Sequence, residues 1–471
     1  MRNLHPVSVA APLLTVLALS SCTTDEVADP RARNLVVITV DTLRADRLET
    51  YGYFRALAPN IDALAAESLV FERCLAPIPQ TTPSHLSLMT GLYPYEHGVS
   101  NNFARLPEEE AREKAFAPTD VLRTFAQVIG TSVDTAGFVS AAPVKRLTGL
   151  ANGFRTWDEP GSTRRTGDLT NAAALPWLAA QSGPFFMWVH YMDAHGPYEA
   201  GHYPPGEFET MYGVDDGLVA FMRERNIVGE ATAGPEELAE AYALANLYDG
   251  SVTFADQAVG ELLDALRAKG IWEETVVVLM SDHGQGLWQH YSAGHGDVWN
   301  EQLQVPLMMR VPGERPRRLD PSMSIVDVLP TALAFVRGFD SADFLEQARG
   351  QDVLSPTFQE REVFGMGDEF FKTYTLVDGD WKFIRRQKGK ELLFSVSKDP
   401  FELTDLSESN PDVAKRLSTR LDEELARQRA TNEAFRSGSA TAVPVTDTEH
   451  IDELEDLGYM GGDEPEDEDD E

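Results

Sequence analysis

Cysteine is almost absent from this sequence: Cys22 and Cys74 are the only two in 471 residues. A disulfide framework is thereby excluded as the basis of the fold. Basic residues are also scarce, 40 Lys and Arg against 76 Asp and Glu, leaving a formal net charge of −36. Such a charge repels phosphate backbones and anionic membrane surfaces, so nucleic acid is excluded as a partner class. The apolar stretch at residues 7–19 is too short to span a bilayer as a mature helix, and no internal repeat is visible. What the chain does have is 42% hydrophobic residues, enough for one large core and a smaller appended unit.

Arg2 followed by the apolar residues 7–19 has the form of a cleavable export signal. Leu19-Ser20-Ser21-Cys22 resembles the lipobox of bacterial lipoproteins. That resemblance implies a signal peptide over 1–21, lipid on the Cys22 sulfur, and an exported protein anchored to a membrane, in the periplasm or at the cell surface. An ordinary signal peptide with an incidental cysteine is the alternative. Residues 22–33 then read as a polar tether, and Cys74, left without a partner, as a small buried hydrophobe. The acidic run 463–471 marks 431–471 as a largely disordered tail.

Four short apolar runs, 35–40, 185–189, 275–280 and 305–311, read as parallel strands buried on both faces, because they are continuous rather than alternating and rich in valine or aromatics. Between them lie helical patterns such as Ile61, Leu64, Ala65 and Leu69, or Val259, Leu262, Leu263 and Leu266. The alternation predicts an α/β fold over 34–350, with a mostly parallel central sheet and helices on both faces. Tyr374-Thr375-Leu376-Val377, the turn Asp378-Gly379-Asp380, Trp381-Lys382-Phe383-Ile384 and Leu392-Leu393-Phe394 predict a small antiparallel sheet in a subdomain over 351–430, followed by a helix near 412–427. Residues 198–237 are expected to be loops lining a pocket.

Ligands of open α/β sheets bind beyond the carboxyl ends of the strands. Those ends carry Asp41, then His190, Asp193 and His195, then Asp282 and His283. One Asp after a strand is usually a turn residue; Asp and His on three separate ends predict a divalent-metal site. The segment Thr81-Thr82-Pro83-Ser84-His85 running to Gly91 predicts a short helix with proline at its first helical position, threonine before it as cap, and free amides facing an anion. A hydroxyl beside a cation there can attack phosphorus or sulfur. Helix capping alone is the competing account of Thr81 and Thr82.

At this point the sequence resembles the sulfatases of the alkaline phosphatase superfamily. Their Cys/Ser-x-Pro-Ser-Arg motif running into Leu-Thr-Gly is similar to Thr81-Thr82-Pro83-Ser84-His85 followed by Met89-Thr90-Gly91. The likeness continues through Val40-Asp41-Thr42, Gly91-Leu92-Tyr93-Pro94, Tyr248-Asp249-Gly250, Ser281-Asp282-His283-Gly284 and the C-terminal Trp381-Lys382-Phe383-Ile384. It implies an alkaline-phosphatase-like sandwich in which Asp41, Thr81, Asp282 and His283 surround a divalent metal, Ca, Mn or Zn. His85 stands for the arginine that steadies the nucleophile, His195 for the histidine on the ester group, and His295 for a substrate-binding lysine. Lys145 is the candidate for a further family lysine.

Thr81 departs from the family's Cys or Ser, which is converted to formylglycine, whose hydrate can expel sulfate by collapsing to the aldehyde. A threonine ester needs a second attack, as in superfamily phosphodiesterases that use unmodified threonine. Thr42 in place of a second Asp, and His283 in place of Asn, make the ligand set less calcium-like. Asp193 and His295 joining His195 in a second metal site is a further expectation. His190 is a core histidine or an orienter of the site, His97 is structural, and His290 and Asp256 belong to the scaffold. The resulting expectation is a metal-dependent hydrolase of sulfuric or phosphoric esters, acting on a sulfated or phosphorylated small molecule or glycan with Thr81 as nucleophile. A phosphodiesterase or phosphoryl transferase using Thr81, and a non-catalytic surface binding protein on the same fold, are the alternatives.

Overall fold

The computed structural model describes residues 32–102, 121–198, 207–225, 234–290, 293–368 and 370–436, with short pieces at 114–115, 118–119, 443–444 and 457. The signal peptide, Cys22 and the acidic run 463–471 lie outside the described residues. The main sheet is built from β1 (Asn34–Val40), β2 (Leu69–Leu75), β3 (Asp134–Phe138), β4 (Thr156–Asp158), β5 (Phe185–Tyr191), β6 (Thr275–Met280), β7 (Gln304–Arg310) and β8 (Arg317–Leu319), with Met323–Ser324 paired beside β2. Their order is β8-β2-β7-β6-β1-β5-β3-β4.

The run 305–311, expected to be parallel, is antiparallel: β7 opposes both β6 and β2. A continuous apolar run reports burial on both faces, not direction, so sequence could not distinguish the two. Leu69, expected on a helix, opens β2; the helix α1 (Pro59–Ala66) stops before it. The other major helices are α2 (Thr81–Thr90), α3 (Gly167–Ala180), α4 (Pro235–Ala268) and α5 (Pro411–Arg436). Among the described residues no helix is long and apolar enough to cross a membrane.

Alternation along the strands divides the core. Val36, Ile38 and Val40 of β1 pack with Leu64 of α1, Leu178 of α3 and Val259 of α4. Leu35 and Val37 face the opposite layer, with Leu86, Leu88 and Met89 of α2. Each such buried aliphatic side chain contributes about 1.5–3 kcal/mol relative to its exposed state. β6, β1 and β5 are adjacent and parallel, with Thr39 in register with both Met280 and His190, so their carboxyl ends finish at one level.

The C-terminal subdomain is the antiparallel sheet of β9 (Val363–Met366), β10 (Tyr374–Asp378), β11 (Trp381–Arg385) and β12 (Glu391–Ser395), packed against Leu417, Leu421 and Leu425 of α5. The helix continues past the boundary expected at 430, to Arg436, where Asn432 Nδ2 donates to Glu96 O at 2.8 Å and Phe435 packs against the main core. The segment 198–237, expected to be loops, includes helices at Glu207–Met211 and Asp216–Glu224; Asp215 caps the second by accepting from Leu218 N.

Candidate active site

Asp41 leaves β1 and Asp282 leaves β6, and the strand register places them together with His283. One ligand atom from each lies within 4.8 Å of the others, and all three residues are buried. Asp41 Oδ1 and Asp282 Oδ2 are buried without a hydrogen-bond partner. Burying two partnerless carboxylate oxygens side by side is costly unless a cation neutralises them, so this donor set fits a divalent metal ion. Burial pushes the Asp41 carboxyl up to about 8, and burial followed by the charge on Asp41 pushes Asp282 up to about 6.

Thr42, next to Asp41, holds a left-handed φ of 57°, unfavourable for a β-branched residue. Three bonds hold it there: its amide donates to Asp282 Oδ1 at 3.2 Å, its hydroxyl to Asp41 O at 2.7 Å, and Tyr248 Oη donates to its carbonyl at 2.7 Å. Its hydroxyl is thus occupied by backbone. His190 reads as an orienter of the site: its Nε2 lies 3.2 Å from Asp41 Oδ2.

α2 brings Thr81 to the same place. Thr81 is fully buried, hydrogen-bonds the Asp41 carboxylate, and sits with Oγ1 3.4 Å from His283 Nε2. His283 Nδ1 donates to Gly284 O at 2.9 Å, leaving Nε2 as a lone pair facing Thr81 Oγ1 and Asp282. Threonine does not cap α2: Gln80 occupies that position without a side-chain cap, Thr81 is the first helical residue, and Pro83 falls at the third. The amide of Thr82 is not free either, because Asn102 Oδ1 accepts from it at 2.6 Å.

Asn102 is the residue that sequence reasoning missed. It is buried, and its Nδ2 has no partner among the described residues, so an amide donor stands ready beside the first turn of α2. An asparagine after another asparagine in a polar stretch gives no pattern by which it could have been found.

His85 meets Thr81 through the threonine's backbone carbonyl. Its Nδ1 lies 2.8 Å from Thr81 O and its Nε2 3.1 Å from Thr39 Oγ1. Trp188 Nε1, which can only donate, bonds Thr39 Oγ1 at 3.0 Å, so the Thr39 hydroxyl donates onward to His85 Nε2. His85 is therefore the neutral Nδ1–H tautomer, consistent with burial pulling it down to about 3.

His195 and His295 meet with their Nε2 atoms 3.3 Å apart. Each Nδ1 faces a backbone carbonyl, Gly196 O and Pro79 O respectively. Two Nε2 lone pairs thus point at each other, a gap that accepts a shared proton or a donor from a ligand. Burial, then neighbouring histidines, lowers His195 well below the usual range and His295 to about 3. Arg164, buried, holds the segment after His195 by donating to His195 O at 3.0 Å and Pro197 O at 2.5 Å.

The second metal site expected from Asp193 is not assembled. Asp193 Oδ1 accepts from Gly167 N at 2.9 Å, at the start of α3, so the residue serves a helix end instead. Among the described residues, Asp41, Asp282 and His283 are the one group of three or more such side chains with metal-holding geometry. Lys145 lies two residues after Pro143, whose carbonyl accepts from Thr82 Oγ1 at 2.5 Å, so its loop borders the site. His97 bonds Ser87 Oγ at 3.1 Å, His290 pairs with Glu301 at 2.9 Å, and Asp256 holds the first amides of α1; all three are scaffold.

A sequence profile described as Sulfatase matches residues 33–338, more than half of the chain. An arylsulfatase of Clostridium perfringens is 24% identical over 80% of this chain and 90% of its own length. The multifunctional alkaline phosphatase superfamily protein PehA of Trinickia caryophylli is 22% identical over 80% of this chain and 91% of its own. The crystal structure of the phosphonate monoester hydrolase of Agrobacterium radiobacter shares the fold, with TM-score 0.62 at 20% identity over 85% of this chain and 96% of that one. With this profile matching the region that carries Asp41, Thr81, Asp282 and His283, the chain belongs to the sulfatase family and is an ester hydrolase of that family.

Proposed function

We propose that the protein is a metal-dependent hydrolase of sulfuric or phosphoric esters in which unmodified Thr81 is the nucleophile, and that threonine tilts it toward phosphoric esters. The observation that carries this reading is the buried Thr81 hydroxyl bonded to Asp41 beside two partnerless carboxylate oxygens. Asp41, Asp282 and His283 would hold a divalent cation (Ca, Mn or Zn), whose chemistry there is to acidify the hydroxyl and offset charge on the transferring oxygens. Thr81 Oγ displaces the alcohol at phosphorus or sulfur, and water then displaces Thr81. The proton lost by the Thr81 hydroxyl passes through the Nε2 lone pairs of His195 and His295 to the leaving alcohol, and the proton of the attacking water returns to Thr81 by the same route. Asn102 Nδ2 donates to a non-bridging oxygen of the transferring group.

A threonine ester cannot be released by collapse to an aldehyde, so its breakdown needs that second attack, which favours phosphorus over sulfur. In a panel of aryl sulfate, phosphate monoester and phosphodiester, Thr81→Ala should abolish turnover with metal content nearly unchanged. Unchanged turnover removes Thr81 from the mechanism. Stoichiometric metal with no turnover of any ester by the parent protein favours the binding-protein alternative. The Leu19–Cys22 segment supports export and lipid anchoring, so Cys22→Ala should move the protein from the membrane fraction to the soluble one, and retention would refute the anchor.

A further inference from the structure

Asp368, just beyond the C-terminal strand β9, bonds to both segments that carry the site. Asp368 N donates to Gly296 O at 2.8 Å, next to His295, and Asp368 Oδ2 accepts from Gln80 Nε2 at 3.3 Å, next to Thr81. Asp368 Oδ1 accepts from the amides of Phe370 and Phe371 at 3.0 and 2.9 Å, fixing the loop's own backbone. The ring of Phe371 lies so close over Gly296 that a Cβ there would fall 2.9 Å from it, and the glycine's φ of 141° suits no other residue well. Phe370 meets Phe371 edge-on, with centroids 5.3 Å apart, and is 37% exposed.

The amides of both phenylalanines are therefore anchored on Asp368, with the ring of Phe371 resting on the glycine after His295 and that of Phe370 left partly in water. A partly exposed aromatic packed against the ring that rests on Gly296, next to His295, gains by stacking with a ligand, whereas on an ordinary surface it only costs hydration. We propose that Phe370 and Phe371 form a platform for a flat apolar ring face on the alcohol part of the substrate. An aromatic ring and the apolar face of a pyranose share that chemistry. The assignment rests on the ester-hydrolase reading and deepens it by naming the class of alcohol.

Calorimetric titration of the metal-loaded protein with phenylphosphonate, a glucosyl phosphonate and methylphosphonate tests it without requiring turnover. Phe370→Ala and Phe371→Ala should each weaken a ring-bearing analogue roughly three- to tenfold and leave methylphosphonate unchanged. The analogue that loses more identifies the ring. Phe370→Leu, which keeps apolar bulk without a ring face, should behave like the alanine variant. Equal losses for methylphosphonate, or no loss for either ring, overturn the platform while the ester site stands. Ring-selective binding by a protein whose Thr81→Ala variant keeps full turnover upholds the platform and removes the nucleophile assignment. Failure of all three analogues to bind overturns both.

Discussion

Stripping the metal should make the protein lose stability as pH rises; Asp282, raised to about 6, acts up to that pH, and Asp41 carries the effect beyond it. Burial holds its carboxyl near pH 8 in the folded protein against an ordinary 3.8 in the unfolded chain. Between those values the native state keeps a proton that the unfolded state has lost, so stability present below about pH 4 is progressively lost as pH rises toward 8. One proton corresponds to about 1.4 kcal/mol per pH unit. The buried histidines act oppositely: His85, His190, His283 and His295 are lowered to between about 3 and 4, so they lose stability as pH falls below their ordinary 6.5. Comparing the parent with Asp41→Asn cancels those terms. In urea unfolding with chelator, Asp41→Asn should gain about 2–3 kcal/mol on the parent between pH 5.5 and 7.5. Restoring metal should abolish the trend in the parent, since a bound cation keeps Asp41 ionised in the folded state. A parent–variant difference that is flat with pH in chelator would refute the argument that Asp41 is buried uncompensated without metal.

Asn102→Ala should lower kcat by roughly a hundredfold with metal content intact, if its free Nδ2 donates to the transferring group; a change confined to thermal stability would reduce it to a brace for Thr82 N. Arg164→Ala removes the donor to the carbonyls of His195 and Pro197 and should cost kcat roughly ten- to a hundredfold through misplacement of His195. Arg164→Lys should restore part of that loss, and a unchanged pH–rate profile in either variant would argue against a role through His195.

What the sequence by itself determined is everything carried by local pattern. Continuous apolar runs mark buried strands, the dipeptides at their ends mark where titratable groups cluster, and Gly91, found here at φ 69°, marks the stop of α2. The motif likeness around Thr81 and Asp282-His283 reached the right family because those residues are contiguous in sequence. Direction of β7, the end of α1 before Leu69, and the helical turns within 198–237 were not legible, because periodicity encodes burial and not partners. Tertiary structure alone decided the roles of single side chains. Asp193 turns to Gly167 N, His85 takes the carbonyl of Thr81 instead of its hydroxyl, and Asn102 arrives beside α2 from 20 residues downstream of Thr82. Each outcome depends on which atom lies within hydrogen-bond reach, and that is set by packing between elements distant in the chain, which no local spacing records.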